Sequence, residues 1–169
     1  SMEEEILEAK FSGIRAIGLN NDGITFYNFA KPQDSVYHPN TRVKLFYFRQ
    51  IIVEHKQKQG CLNFDGKTII PCQNDWVYLW FEPNKKEPLI AKKDGFIFFF
   101  DQHGQVYDSI VGDSLIPINQ SCFLLRLNGK EALMPVSDKH MLPSFHDKVI
   151  ANPFIGAFFV RNRNEFSRV

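Results

Sequence analysis

The sequence predicts a mainly β fold in which a single antiparallel sheet of about ten short strands forms a meander or a barrel, with an α+β arrangement as the alternative. Two observations predict it: short apolar runs that alternate with polar residues, and Asp-Gly or Asn-Gly steps between those runs. Asn, Asp and Gly tolerate the positive φ angles of a type I′ turn, so each step favours a tight hairpin. The steps are Asp22-Gly23, Asp65-Gly66, Asp94-Gly95 and Asn128-Gly129, with His103-Gly104 as a related fifth.

The predicted strands follow these turns in chain order. Residues 14–19 and 24–29 flank Asp22-Gly23 as a first hairpin, and the two prolines within 31–40 predict a loop. Residues 43–54 carry β-branched and aromatic residues on both faces, which predicts one long interior strand. The other predicted strands are 61–64, 67–70, 75–81, 89–92, 96–100, 105–111, 122–127, 130–136, 146–150 and 154–160.

The two ends of the chain differ from its middle. Residues 3–11 predict a short amphipathic helix, because they are good helix formers with Ile6 and Leu7 on one side and Glu side chains near the N-terminus. This acidic start differs from the basic and then apolar opening of a signal peptide, so we expect no export. Residues 161–169 predict a basic tail that frays.

Length and composition predict one domain over residues 1–169, with a core large enough to fold without a metal or a disulfide. The 17 Phe residues predict that this core is largely aromatic. Lys and Arg number 20 against 19 Asp and Glu, which argues against broad attraction to nucleic acid or to an anionic membrane. The three Cys residues form no close pair and favour a reducing compartment, so we expect a soluble cytoplasmic protein without a cofactor.

A Gly-flanked Ser follows an apolar run at Gly112-Asp113-Ser114-Leu115. The string resembles the Gly-Asp-Ser-Leu block of lipolytic hydrolases, although the later Asp-x-x-His block of that family is missing. It also resembles the Gly-x-Ser-Met segment of the self-cleaving repressor and mutagenesis-protein peptidases, which are β-rich and use a Ser–Lys pair. That resemblance implies Ser114 as nucleophile and Lys148 as the neutral general base. The alternative is an ordinary turn in which Asp113 and Ser114 satisfy backbone donors.

A second candidate site ends the predicted strand 43–54. The segment Glu54-His55-Lys56 resembles the Glu-x-Lys half of the restriction-type nuclease motif, and Asp34 lies upstream of it. The resemblance implies that Asp34 and Glu54 hold a divalent metal while Lys56 activates the attacking water, since Mg²⁺ requires hard oxygen ligands. The alternative is a solvated strand end with alternating charge.

Two further patterns are typical of binding surfaces. Trp76, Tyr78 and Trp80 alternate along one predicted strand and form an aromatic platform, unless that strand is buried on both sides. Arg161 and Arg163 interleave with Phe residues, as in proteins that bind single-stranded nucleic acid.

No catalytic or metal-binding set is complete in the sequence. The leading prediction is therefore a non-enzymatic β-rich interaction module that binds another protein through a sheet edge or an aromatic surface. A hydrolase of either the Ser–Lys or the metal-nuclease type is the alternative. Single-stranded nucleic-acid binding through the aromatic and basic C-terminal segment is a third prediction.

Overall fold

The computed structural model describes residues 15–47, 50–79, 89–119, 121–135, 143–152, 157–163 and 165–168. The described chain is almost entirely β-strand, which confirms the mainly β prediction. The strands belong to several antiparallel sheets rather than to the single predicted sheet, because each run of three or four consecutive strands closes a meander of its own. The helix predicted over residues 3–11 lies outside the described residues. Among the described residues, no helix is long and apolar enough to cross a membrane.

The chain divides into two compact units, Ser1–Tyr78 and Leu79–Val169. In the first unit, one sheet has the strand order β1-β2-β3 and a second has the order β4-β5-β6-β7. The strands up to the boundary are β1 (Arg15–Asn20), β2 (Gly23–Asn28), β3 (Val36–Pro39), β4 (Thr41–Tyr47), β5 (Gln50–His55), β6 (Lys58–Asn63), β7 (Thr68–Asn74) and β8 (Trp76–Leu79).

The core of the first unit forms where its two sheets pack together. Apolar side chains of β1, β2, β5 and β6 meet there and are buried. Partly buried side chains such as Phe46 and Phe64 pack around them. The central residues are Ile17, Ile24, Phe26, Ile51, Val53 and Leu62.

The second unit is built from shorter meanders. The complete strands within its boundaries have the orders β9-β10-β11, β12-β13-β14 and β15-β16-β17. A two-way backbone bridge between Glu131 and His146 connects β14 to the residues just before β15. The strands are β9 (Leu89–Lys93), β10 (Phe96–Phe100), β11 (Val106–Val111), β12 (Ser114–Pro117), β13 (Cys122–Leu127), β14 (Lys130–Pro135), β15 (Lys148–Asn152), β16 (Ala157–Asn162) and β17 (Glu165–Arg168).

The cores are mostly aliphatic, contrary to the aromatic core that the Phe content predicted. The buried phenylalanines among the described residues are Phe26, Phe99, Phe100 and Phe123, and most other buried apolar side chains are Ile, Leu, Val and Ala. In the second unit the rings of Phe99 and Phe123 lie 6.3 Å apart and join two sheets. Several other phenylalanines are on the surface, where they are available for contacts outside the chain.

The hairpin signals are confirmed where both turn residues have positive φ. Asp94 and Gly95 have φ of 53° and 80°, and Asn128 and Gly129 have 51° and 74°, as a type I′ turn requires. Each pair of residues connects strands whose flanking residues face each other directly.

Three local predictions are corrected. The predicted strand 43–54 is instead divided between two antiparallel strands, β4 and β5, with Tyr47 opposite Gln50; the sequence between them contains no Gly, Pro, Asn or Asp that would predict a turn. The predicted loop 31–40 contains a 3-10 helix, Pro32–Asp34, and strand β3. The predicted frayed tail instead supplies β17, which pairs with β16. In each case pairing with a neighbouring strand outweighs weak local signals.

Candidate functional site

The surface of the second unit carries a row of phenylalanines on β10. Successive residues of a strand point to opposite faces, so Phe96, Phe98 and Phe100 share one face while Ile97 and Phe99 are buried on the other. The ring centroids of Phe96 and Phe98 are 6.2 Å apart, and those of Phe98 and Phe100 are 6.4 Å apart. The row therefore forms a continuous aromatic strip.

Two valines on β11 widen this strip. Val111 lies directly opposite Phe96, and Val106 lies opposite Phe100. The exposed fractions are 45% for Phe96, 52% for Val111 and 53% for Val106, while Phe100 is buried. We call Phe96, Phe98, Phe100, Val106 and Val111 the phenylalanine face.

Strand β11 is an edge of its sheet, because among the described strands it pairs only with β10. The Gly112 N–H donates to the Gly95 carbonyl, and the antiparallel alternation then directs the backbone groups of Ser109 and Val111 away from β10. The Ser109 N–H is accepted at 2.8 Å by Oδ1 of Asp108. The Asp108 side chain therefore already accepts one of the N–H groups on the unpaired edge of β11.

A second feature of this unit is a charged cluster around Glu131, whose side chain is buried on β14. Its Oε1 accepts from Arg126 Nε at 3.0 Å and from Lys148 Nζ at 2.9 Å, and its Oε2 accepts from the Val149 N–H at 2.9 Å. Burial raises the pKa of the Glu131 carboxyl, but these hydrogen bonds outweigh burial and hold that pKa below its ordinary value.

Asp147 is the second carboxylate of the cluster. It accepts hydrogen bonds from the Lys130 ammonium and from the Arg163 N–H, and both hold the pKa of Asp147 below its usual range. The charge of Arg161 acts in the same direction. Glu131 thus binds Arg126 and Lys148, while Asp147 binds Lys130 and feels the positive charge of Arg161.

The structure gives Ser114 and Lys148, the predicted Ser–Lys pair, different contacts. Ser114 begins β12 directly opposite Arg126, and it forms no hydrogen bond with Lys148. A general base must present a neutral amine to the serine hydroxyl, whereas the Lys148 ammonium donates to Glu131.

Packing and turn chemistry account for the rest of the Gly112-Asp113-Ser114 string. A Cβ on Gly112 would lie 2.7 Å from Leu125 Cδ1 and 2.9 Å from Ile97 Cδ1. Asp113 Oδ2 accepts from the Asn128 N–H at 2.7 Å and so supports the neighbouring hairpin turn. These are the turn roles that the alternative interpretation of the string predicts.

The candidate metal ligands lie in different surroundings in the first unit. Glu54 on β5 pairs with Lys44 Nζ at 3.4 Å, and Lys56 occupies a turn with φ of 49°. Asp34 ends the 3-10 helix and lines a cleft of about 260 Å³ together with Asp65 and aromatic side chains. Across the part of the chain that the structure describes, no three His, Cys, Asp or Glu side chains are grouped to hold a metal ion.

The predicted binding residues are on the surface where they are described. Tyr78 is 47% exposed and Trp76 is half-buried, while Val77 on the other face of β8 is buried. Trp80 lies outside the described residues. Arg161 and Arg163 are both exposed, at the end of β16 and in the turn after it.

Comparison with known proteins finds a similar fold but no matching family. No family model and no curated protein matches the chain. A solved structure described as "Crystal structure of the eukaryotic initiation factor" is similar, with a TM-score of 0.55 and 10% sequence identity. The similarity covers 100% of this chain and 52% of that one, so the chain spans about half of its length. At this identity the likeness concerns the fold alone.

Sequence reasoning missed both surface features. The all-apolar run 96–100 predicts a buried strand, and only the polar residues between Val106 and Val111 signal that the adjoining strand is half exposed. Glu131 interrupts an otherwise apolar strand, and such a residue is the available signal for a buried carboxylate with partners.

Proposed function

We propose that this protein is a non-enzymatic interaction module that binds another protein through the phenylalanine face. The observation that carries the proposal is the directly opposed pair Phe96 and Val111, each about half exposed on one sheet surface. Aromatic and aliphatic side chains that stay exposed as a contiguous patch are typical of protein interfaces.

The interaction is proposed to use the face of the sheet and not its edge. A partner that adds a strand to β11 needs the outward N–H groups as donors. Asp108 already accepts the Ser109 N–H, and its charge next to the edge disfavours an incoming strand. The phenylalanine face carries no such obstacle, because its side chains stand upright from the strands and present ring surface.

The partner is proposed to present apolar anchors, aromatic or aliphatic, that fit between the β10 rings and the two valines. Such anchors supply most of the binding free energy in small interfaces. The similarity to a protein described as an initiation factor adds a fold and no residue to this proposal. The engagement of Lys148 by Glu131 and of Glu54 by Lys44 supports a non-enzymatic role over the hydrolase alternative.

The test uses defined peptides. A random peptide library displayed on phage is selected against the full 169-residue chain, and the enriched peptides are synthesised and titrated by fluorescence anisotropy. We expect enriched peptides rich in aromatic and aliphatic residues. The variant Phe96→Gln should weaken their binding about thirtyfold, because removing one interface anchor costs about 2 kcal/mol.

Matched variants make the result specific. Phe29 in the first unit is 64% exposed, so Phe29→Gln removes a ring that is more accessible than Phe96 and should leave peptide binding unchanged. Val111→Thr keeps the side-chain shape and should weaken binding without altering the thermal midpoint. Peptides that bind all variants equally, or a selection without enrichment, would overturn the proposal.

A further inference from the structure

One face of β15 and β16 combines cations with exposed apolar side chains. Lys148 lies directly opposite Arg161, and Ile150 lies directly opposite Phe159, so the four side chains share one face. Val149 and Val160 point to the other face and are buried. Ile150 is 44% exposed and Phe159 is partly exposed.

The charged cluster described above extends this face toward β13 and β14. Arg126, Lys130 and Lys148 have side chains that are 43%, 53% and 45% exposed, and Arg161 is exposed as well. The cations Arg126, Lys130, Lys148 and Arg161 outnumber the carboxylates Glu131 and Asp147, so positive charge predominates among these six side chains.

The carboxylates position these cations without covering them. Arg126 uses Nε for Glu131, and among the described residues its terminal guanidinium nitrogens have no further partner. Lys148 and Arg126 share the same oxygen of Glu131, which holds two cationic groups side by side. Prepositioned cations lose less conformational entropy when they bind an anion.

We infer that this face, formed by Arg126, Lys130, Lys148, Ile150, Phe159 and Arg161, binds the backbone of single-stranded nucleic acid. Cations that follow a phosphodiester chain, together with a ring on which a base stacks, are the combination that single-strand binding uses. Duplex recognition instead places a helix or a two-stranded β-ribbon in a groove, whereas β16 is paired with a strand on each side. The inference is independent of the phenylalanine face, which lies on β10 and β11.

The test is a titration of fluorescein-labelled 12-nucleotide oligo(U) and oligo(dT) with the full chain, followed by anisotropy from 50 to 200 mM KCl. We expect the logarithm of the association constant to fall with the logarithm of salt concentration with a slope of about −2 to −3, as three to four phosphate contacts predict. Arg161→Gln should make that slope less steep by about 0.7. Phe159→Leu should weaken binding at least about fivefold through loss of base stacking.

The controls are a cation and a ring in the first unit. Lys44 is 47% exposed and paired with Glu54, so Lys44→Gln removes the same charge elsewhere, and Phe29→Leu removes an exposed ring. Both should leave binding unchanged, and thermal midpoints verify that each variant is folded. The inference is overturned if wild type does not bind at 50 mM KCl or if Lys44→Gln weakens binding as much as Arg161→Gln. Equal binding of duplex DNA that is insensitive to Phe159→Leu would also overturn it, since that result indicates general attraction to polyanions.

Discussion

Lys148 Nζ lies 2.9 Å from Oε1 of Glu131, a carboxylate whose side chain is only 7% exposed. A buried carboxylate is stable only when hydrogen bonds replace its hydration. Here Lys148, Arg126 and the Val149 N–H supply those bonds. The contact therefore joins β14 to β15 and gives the lysine a structural role.

The first prediction concerns the pH dependence of stability. The folded-state pKa of Glu131 lies below that of an unfolded Glu, about 4.3. Between the two values the unfolded state binds more protons, so this contribution is complete above pH 4.3 and is lost as pH falls through the folded pKa. Glu131→Gln should reduce the free energy of unfolding by about 1 to 2 kcal/mol at pH 7, with a smaller difference near pH 3. Urea titrations from pH 3 to pH 7 measure this.

The control for that prediction is Glu54→Gln. Glu54 pairs with Lys44 at a more exposed position, so its replacement should change the free energy of unfolding by less than about 0.5 kcal/mol. A difference between wild type and Glu131→Gln that stays constant over the whole pH range would contradict the prediction.

The second prediction concerns Ser114. Because Lys148 is bonded to Glu131, we expect no covalent labelling of the wild-type chain by a fluorophosphonate probe, and we expect Ser114→Ala to unfold at the wild-type midpoint. Mass spectrometry of the intact protein checks the first outcome and thermal unfolding the second. Labelling of the wild-type chain that is absent in Ser114→Ala would contradict this prediction and support the peptidase alternative.

The third prediction concerns Gly112. An added Cβ would contact the buried side chains of Leu125 and Ile97, so Gly112→Ala should destabilise the chain by about 1 to 3 kcal/mol through overpacking. The double variant with Leu125→Val should lose less stability than the sum of the single variants, because the shorter side chain makes room. Gly129→Ala is the matched control: no atom lies within 4 Å of its added Cβ, so Leu125→Val should not rescue its backbone strain. Denaturant titrations measure the free energy of unfolding of all the variants. Strict additivity of Gly112→Ala and Leu125→Val would exclude overpacking.

The fourth prediction concerns the edge of β11. Asp108→Ala frees the Ser109 N–H and removes a charge, so this variant should self-associate more strongly than wild type. Sedimentation velocity over a range of protein concentrations measures the effect. Asp108→Asn keeps an oxygen acceptor for the Ser109 N–H but removes the charge, so it should self-associate less than Asp108→Ala and more than wild type. An Asp108→Ala chain that sediments as wild type at every concentration would show that Asp108 does not protect this edge.

Many of the strands could be predicted from the sequence, because the residues that indicate strands and turns lie close together along the chain. The turns at Asp94-Gly95 and Asn128-Gly129 need positive φ, and few residues other than Asn, Asp and Gly adopt it easily. The hairpin at Lys56 and Gln57 has positive φ at both positions without any such residue, so no local signal predicts a two-residue turn there. There the pairing of β5 with β6 imposes the turn.

The sequence alone determined the mainly β class and several of the hairpins, because alternating apolar residues and turn residues act over a few positions along the chain. Only the tertiary structure decided which Phe residues are buried, since Phe96 and Phe99 differ in exposure through the faces they occupy and the neighbours they meet. It also decided the role of Lys148, whose partner Glu131 is 17 residues away in the chain. Contacts over such separations depend on how the strands pair and pack, and no local pattern encodes them.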